Sequence, residues 1–178
     1  MKFFIMFCLL FMSLHAFGSD RKDINMVNRH VNDFAAKLSK KGFYLCGRGG
    51  QMMGNIKKVC LDFDLQEKAD VEKARRLLIS ISEEFLANIN EDEQLRPYLV
   101  NYPFNHTNIC FAISFKDENH RFRREGVACA MLCGNSISYT KSPNLNEPLE
   151  EIYVEKYVDA LEKVKQEQKA GETKPESP

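Results

Sequence analysis

Between Val71 and Ile89 the apolar residues Val71, Ala74, Leu77, Leu78, Ile81, Phe85 and Ile89 recur at the spacing of one helix face, and Glu72, Lys73, Arg75, Arg76, Glu83 and Glu84 occupy the other. A long helix with a single apolar stripe has to bury that stripe against another layer, and its flanks say which. Upstream, 43–46 and 55–64 read as two strands joined by a glycine-rich loop. Downstream, Ile109, Phe111, Ile113 and Phe115 alternate with smaller residues at the period of a half-buried strand. "KDENHRFRRE" then supplies a polar hairpin loop, "GVACAMLC" a return strand, Gly134-Asn135 a tight turn and "SISYT" a last strand. A first helix carries Ile24, Val27, Val31, Phe34 and Leu38 and is stopped by Gly42; a final one carries Leu149, Ile152, Tyr153, Tyr157, Leu161 and Val164. Pro97 and Pro103 make 95–107 an irregular connection. The expectation is an α+β fold in the order α-β-β-α-β-β-β-α, a mostly antiparallel sheet with helices packed on it.

The two ends bound this domain. Lys2, an apolar run from Phe3 to Leu14, and Ala16-Phe17-Gly18 have the layout of a secretory signal peptide over residues 1–18, cut before Ser19. The run is shorter than the roughly 20 residues of a spanning helix, so no stable membrane insertion is expected after cleavage. Residues 19–165 form one domain, and 166–178, within "KQEQKAGETKPESP", have too little to bury and are expected to be disordered. With 25 basic and 25 acidic residues, the chain lacks the excess of positive charge that nucleic acid demands. Arg121-Phe122-Arg123-Arg124 is a local exception, read as a solvated hairpin tip.

"LCGRGGQMMGNIKKVCL", residues 45–61, is the densest motif. A phosphate loop would run from a strand into a helix and end in a Lys-Ser/Thr pair, whereas this one runs from strand to strand without that pair. Its glycines therefore answer to backbone angles. If Phe43 faces Phe63 and Leu45 faces Leu61, Cys46 lies opposite Cys60, and a Cys46–Cys60 disulfide is expected, with two free thiols as the alternative. Cys129 and Cys133 are too far apart along one strand to bond each other. Whether Ile109 or Cys110 faces Cys133 depends on a one-residue register choice that the sequence leaves open.

Chemistry has few candidates. Met52, Met53, Cys46, Cys60 and His106 are soft ligands of the kind that copper(I) selects, but no C-x-x-C, H-x-H or methionine repeat occurs. His106 lies close in sequence to Cys110, His30 is placed on a solvated helix face and His120 at a loop tip. No nucleophile-elbow or zinc-protease spacing is present. No catalytic residue, metal ligand or cofactor is assigned. Asn105-His106-Thr107 has the pattern of a glycosylation acceptor.

"YLCGRGGQMMGNIKKVCLDF", "ARRLLISISEEFLANINEDEQLRPYLVNYPF" and "NICFAISF" together resemble a group of small exported bacterial proteins without an assigned activity. The shared signatures are the G-x-G-G-x-M-M loop and the L-R-P-Y-L-x-N-Y-P-F segment. The resemblance implies export, to the periplasm or outside the cell, and an intact single domain; it carries over no catalytic residue. The functional expectation is a non-enzymatic binding protein that meets an unknown protein or small ligand through Met52, Met53, Tyr102 and Phe104. The alternative is a copper or zinc protein or a cysteine-dependent enzyme of the periplasm.

Overall fold

A computed structural model describes residues 24–144 and 147–172, with the side chains of 171 and 172 left out. The expected signal peptide and its expected cleavage point lie outside the described residues.

Helix α1 covers 24–39 and buries Val27, Val31, Phe34 and Leu38, the stripe read from the sequence. Strand β1 (Phe43–Gln51) and strand β2 (Lys58–Leu65) follow as an antiparallel pair. Helix α2 (Val71–Glu91) starts at Asp70, whose carboxylate accepts the Lys73 amide at 2.8 Å and satisfies one of the free donors of the first turn. Strands β3 (Ile109–Phe115), β4 (Cys129–Cys133), β5 (Ser136–Lys141) and β6 (Glu150–Lys156) complete the sheet, and helix α3 (Tyr157–Glu172) closes the described chain.

The six strands lie side by side in sequence order. Every neighbouring pair is antiparallel except β2 and β3, which are parallel because α2 carries the chain from the end of β2 back to the start of β3. The fold is thus a single α+β domain on one open, mostly antiparallel sheet. No helix among the described residues is long and apolar enough to cross a membrane.

All three helices lie on one face of the sheet. Phe34 of α1 and Phe85 of α2 meet edge to face at 5.2 Å, and both rings reach Phe111 of β3, with Phe63 of β2 beside it. The alternation along each strand continues this layer: Leu61, Phe63 and Leu65, then Phe111, Ile113 and Phe115, then Ala130, Leu132, Ile137 and Tyr139 are all almost completely buried. From α3, Tyr157, Ala160 and Val164 join them.

Four expectations need correction. The stretch 149–156 is not the start of the last helix but a strand, so the order is α-β-β-α-β-β-β-β-α. Leu149, Ile152 and Tyr153 mimicked helical spacing; pairing along β5 instead stacks Tyr153 on Tyr139 at 5.8 Å and turns Glu155 inward. Helix α3 also continues through Glu172, past the expected boundary at 165, while 173–178 lie outside the described residues. The glycine-rich stretch is strand rather than loop, since β1 runs to Gln51 and the turn is only 52–57. At Gly50 (φ +155°) a Cβ would sit 2.2 Å from the Lys58 carbonyl oxygen, so this crossing needs glycine. Finally, the hairpin register places Phe43 opposite Leu65 and Leu45 opposite Phe63, with a bulge at Cys46.

Candidate functional site

The face of the sheet away from the helices is the most unusual surface of the molecule. One row runs across it from Gly49 through Cys60, Cys110 and Cys133 to Ser136 and Lys156, each paired with the next. The next row is Gly47, Asp62, Ala112, Met131, Ser138 and Val154, and the third contains Asp64, Ser114, Cys129 and Thr140. Cys46 joins this face at the bulge, where its thiol donates to the Asp62 carbonyl at 3.2 Å and lies 3.7 Å from an Asp64 carboxylate oxygen. All five described cysteines therefore share one face. Apart from Met131 and Val154 the uncharged side chains of these rows are small.

The expected Cys46–Cys60 disulfide is not formed. The register runs Leu45 against Phe63 and Gly47 against Asp62, so Cys46 lies beside Asp62 while Cys60 opposes Gly49, and both thiols are free. Between the two registers left open for β3 and β4, the structure has Cys110 opposite Cys133. That choice follows from burial: it sends Ile109, Phe111, Ile113 and Phe115 inward together with Ala130 and Leu132, whereas a one-residue slip would drive Leu132 out to solvent.

Burial raises every thiol whose shift is resolved. Cys110 is pushed up to about 12 by burial and by the thiols of Cys133 and Cys60 on either side. Cys60 is raised by burial, partly offset by its contact with Cys110, and Cys129 is raised by burial as well. Cys46 is raised by burial and then by the carboxylates of Asp64 and Asp62. Cys133 ends its strand and is exposed, which makes it the accessible member of its row. Among the described residues no group of three or more His, Cys, Asp or Glu side chains is arranged to hold a metal ion.

The proposed contact residues sit at the end of the sheet where β2 and β3 begin. Ile56, in the turn after β1, bridges to Leu99 through Ile56 N–H donating to the Tyr98 carbonyl (2.8 Å) and Val100 N–H donating to the Ile56 carbonyl (2.9 Å). The methionine turn and the proline-rich connection, far apart in sequence, are thereby one ledge. Met53 is 96% exposed and Tyr102 43% exposed, with the Arg96 guanidinium 4.8 Å from the Tyr102 ring centre. Met52 is partly buried against the core. Phe104 is corrected: at 2% exposure it anchors the ledge and offers no contact surface. Asn90 near the end of α2 holds that anchor, donating to the Phe104 carbonyl (2.9 Å) and accepting its amide (2.7 Å), while the Tyr102 hydroxyl donates to the Asn90 carbonyl.

The described histidines lie elsewhere. His106 stacks on Tyr157 with ring centres 4.4 Å apart and lies 3.1 Å from the Asn135 side-chain oxygen. His30 is not solvated as expected; it packs edge-on against Phe85, and burial lowers its pKa despite the carboxylate of Asp92 3.7 Å away. His120 does sit in the β3–β4 loop, in left-handed conformation. Asn105 caps the short turn His106–Asn108, its side chain accepting from Thr107.

A buried charged network went unread in the sequence. Glu155 on β6 accepts from Arg75 Nε (2.6 Å), the Tyr139 hydroxyl (2.7 Å) and Lys163 Nζ (2.7 Å). Burial raises the Glu155 pKa, but the hydrogen bonds from Arg75, Lys163 and Tyr139 outweigh it and hold the carboxyl below its ordinary value. Arg75 had been placed on the polar side of α2, where an inward arginine has no distinguishing spacing. Compared with known proteins, the chain matches no family model, and no curated protein or solved structure is similar to it.

Proposed function

We propose that this is an exported, non-enzymatic binding protein that engages a protein partner through the ledge formed by Met53, Tyr102 and Arg96. The observation that carries this reading is the Ile56–Leu99 bridge, which ties the methionine turn and the 95–107 connection together by two backbone hydrogen bonds. A nearly fully exposed methionine on one bridged segment and, on the other, a tyrosine with an arginine over its ring have the composition of a contact hot spot, in which flexible thioether and amphipathic aromatic area supply burial and arginine supplies directed hydrogen bonds. The resemblance to exported bacterial proteins and the leader-like N-terminus support the compartment.

The test uses a diazirine methionine analogue at position 53 in cells making the full chain. One discrete cross-linked protein, lost in Tyr102→Ser and in Arg96→Ser variants that keep the wild-type thermal midpoint, is the expected result. Cross-linking that is diffuse, or indifferent to both substitutions, refutes the ledge. Intact mass of the exported fraction should begin at Ser19; a chain retaining Met1 in the cytoplasm refutes export.

A further inference from the structure

The row Cys60, Cys110 and Cys133 spans three adjacent strands, and its geometry is more specific than proximity. Cys133 and Ser136 flank the two-residue Gly134-Asn135 turn, so Cys133 turns its backbone N–H and C=O towards β5, as do Met131 and Cys129. The alternate residues of β4, Leu132 and Ala130, must then turn theirs towards β3. The Phe115 amide donating to the Ala128 carbonyl at 2.8 Å continues that alternation one step beyond the strand. Phe111–Leu132 and Ile113–Ala130 are thus the hydrogen-bonded pairs, and Cys110–Cys133 is a non-hydrogen-bonded pair. Such pairs bring opposing Cα atoms to about 4.5 Å, inside the span that a disulfide bridges, with side chains on the same face. On the other side, Cys110 is the direct neighbour of Cys60 in the parallel β2–β3 pair.

We propose that Cys60, Cys110 and Cys133 form a dithiol–disulfide exchange site for low-molecular-weight disulfides, closing a Cys110–Cys133 bond with Cys60 as the second thiol able to reach Cys110. Cys133, the exposed member, attacks as its thiolate one sulfur of the small disulfide; a mixed disulfide forms and one small thiolate leaves. Cys110 then gives its proton to solvent and attacks the Cys133 sulfur, forming the protein disulfide and releasing the second small thiolate. Two protein thiols are oxidised, the small disulfide is reduced to two thiols, and the released thiolates take up the two protons. Attack of Cys60 on the Cys110 sulfur shifts the bond to Cys60–Cys110 and frees Cys133, with no net oxidation.

The two steps divide the labour as the environments do. The first needs access, which Cys133, exposed at its strand end, has in greater measure than the half-buried Cys110. The second is an attack within one chain from a neighbouring strand, so even a thiol as weakly acidic as Cys110 competes once the mixed disulfide is held beside it. This chemistry is separate from the ledge and stands whether or not the ledge binds a partner.

The experiment uses the reduced full chain, oxidised glutathione and non-reducing peptide mapping. The expected outcome is an intramolecular Cys110–Cys133 linkage with two fewer reactive thiols per chain. In Cys110→Ala, glutathione should remain on Cys133 as a mixed disulfide; in Cys133→Ser, a slower Cys60–Cys110 linkage should replace the wild-type one. Stable glutathione on Cys133 of the wild-type chain, no reaction at Cys133, linkage through Cys46 or Cys129, or bonds between chains would each overturn the assignment. The wild-type map decides the matter even if a variant fails to fold.

Discussion

Replacing Glu155 with Gln removes one charge from the interior and changes little else in shape. The Glu155 side chain is 4% exposed and that of Arg75 8%, so each is nearly out of water and each is the other's main compensation. Without the carboxylate, the guanidinium stays buried and uncompensated, a situation that costs about 3–5 kcal/mol when one partner of a buried pair is removed. Tyr139→Phe deletes one hydrogen bond but leaves Glu155 with Arg75 and Lys163, so about 1–2 kcal/mol is expected. Lys163 is 43% exposed in its side chain, and Lys163→Ala should cost less than about 1 kcal/mol. Urea unfolding at neutral pH, with an unchanged slope, measures all three. Because the carboxyl of Glu155 lies below its unfolded value of about 4.3, its contribution is fully present above that pH and is lost as pH falls through the folded value. The gap between wild type and Glu155→Gln should therefore be widest at neutral pH and narrow below about pH 4. A Glu155→Gln cost under about 1 kcal/mol, or a larger cost for Lys163→Ala than for Tyr139→Phe, refutes the view of a buried pair with an accessory lysine.

Phe85, fully buried between α1 and β3, should cost about 3–5 kcal/mol when changed to Ala, read by urea unfolding. Gly126 has φ +81°, and a Cβ there would lie 2.3 Å from the Ala69 carbonyl oxygen that accepts the Val127 amide; Gly126→Ala should lower stability by about 1–3 kcal/mol, seen as a reduced thermal midpoint. Cys46→Ser should change the thermal midpoint measured without reductant little, because no bond to Cys60 is lost; a fall as large as a disulfide's few kcal/mol would show that the bridge forms after all. Truncation after Gln166 keeps Tyr157, Ala160 and Val164 and loses the exposed Arg76–Glu167 pair, so about 1 kcal/mol or less is expected by the same assay.

The elements most legible in the sequence were those whose periodicity had one interpretation. The stripe of α2, its inward Arg75 apart, and the alternation of β3 predicted both type and facing, because burial on one side only leaves a clean pattern. β6 failed for the opposite reason. It is an edge strand with exposed Ile152, Tyr153 and Val154 and an inward glutamate, so its hydrophobicity does not alternate, and a chance spacing with Tyr157 and Leu161 imitated a helix. The hairpin register failed by two residues ahead of the bulge, where Leu45 meets Phe63 rather than Leu61, and by three beyond it, where Cys60 meets Gly49 rather than Cys46. Matching Leu45 with Leu61 satisfied local apolar pairing, but Leu45 pairs equally well with Phe63, and the bulge at Cys46 then adds one more step so that Arg48 takes the place opposite Leu61. Nothing in the local pattern announces a bulge at Cys46.

The site divides in the same way. Exposure of Met53 and Tyr102 was readable from their loops, but the backbone bridge joining those loops depends on β2 and β3 running parallel, which only the crossover helix enforces. The cysteine row depends on that parallel pair too. In an all-antiparallel arrangement the starts of β2 and β3 would lie at opposite ends of the sheet, and Cys60 would be far from Cys110. With α2 spanning the sheet, the starts of both strands and the end of β4 converge, and the ledge and the thiols come to the same end. One topological fact, the return of the chain over α2, thus assembles both surfaces. A substitution that weakens the α2 crossover, such as Phe85→Ala, should consequently loosen the Cys60–Cys110 neighbourhood while the hairpin pair Cys110–Cys133 persists. Peptide mapping of that variant after oxidation should then find Cys110–Cys133 retained and the shift to Cys60 suppressed.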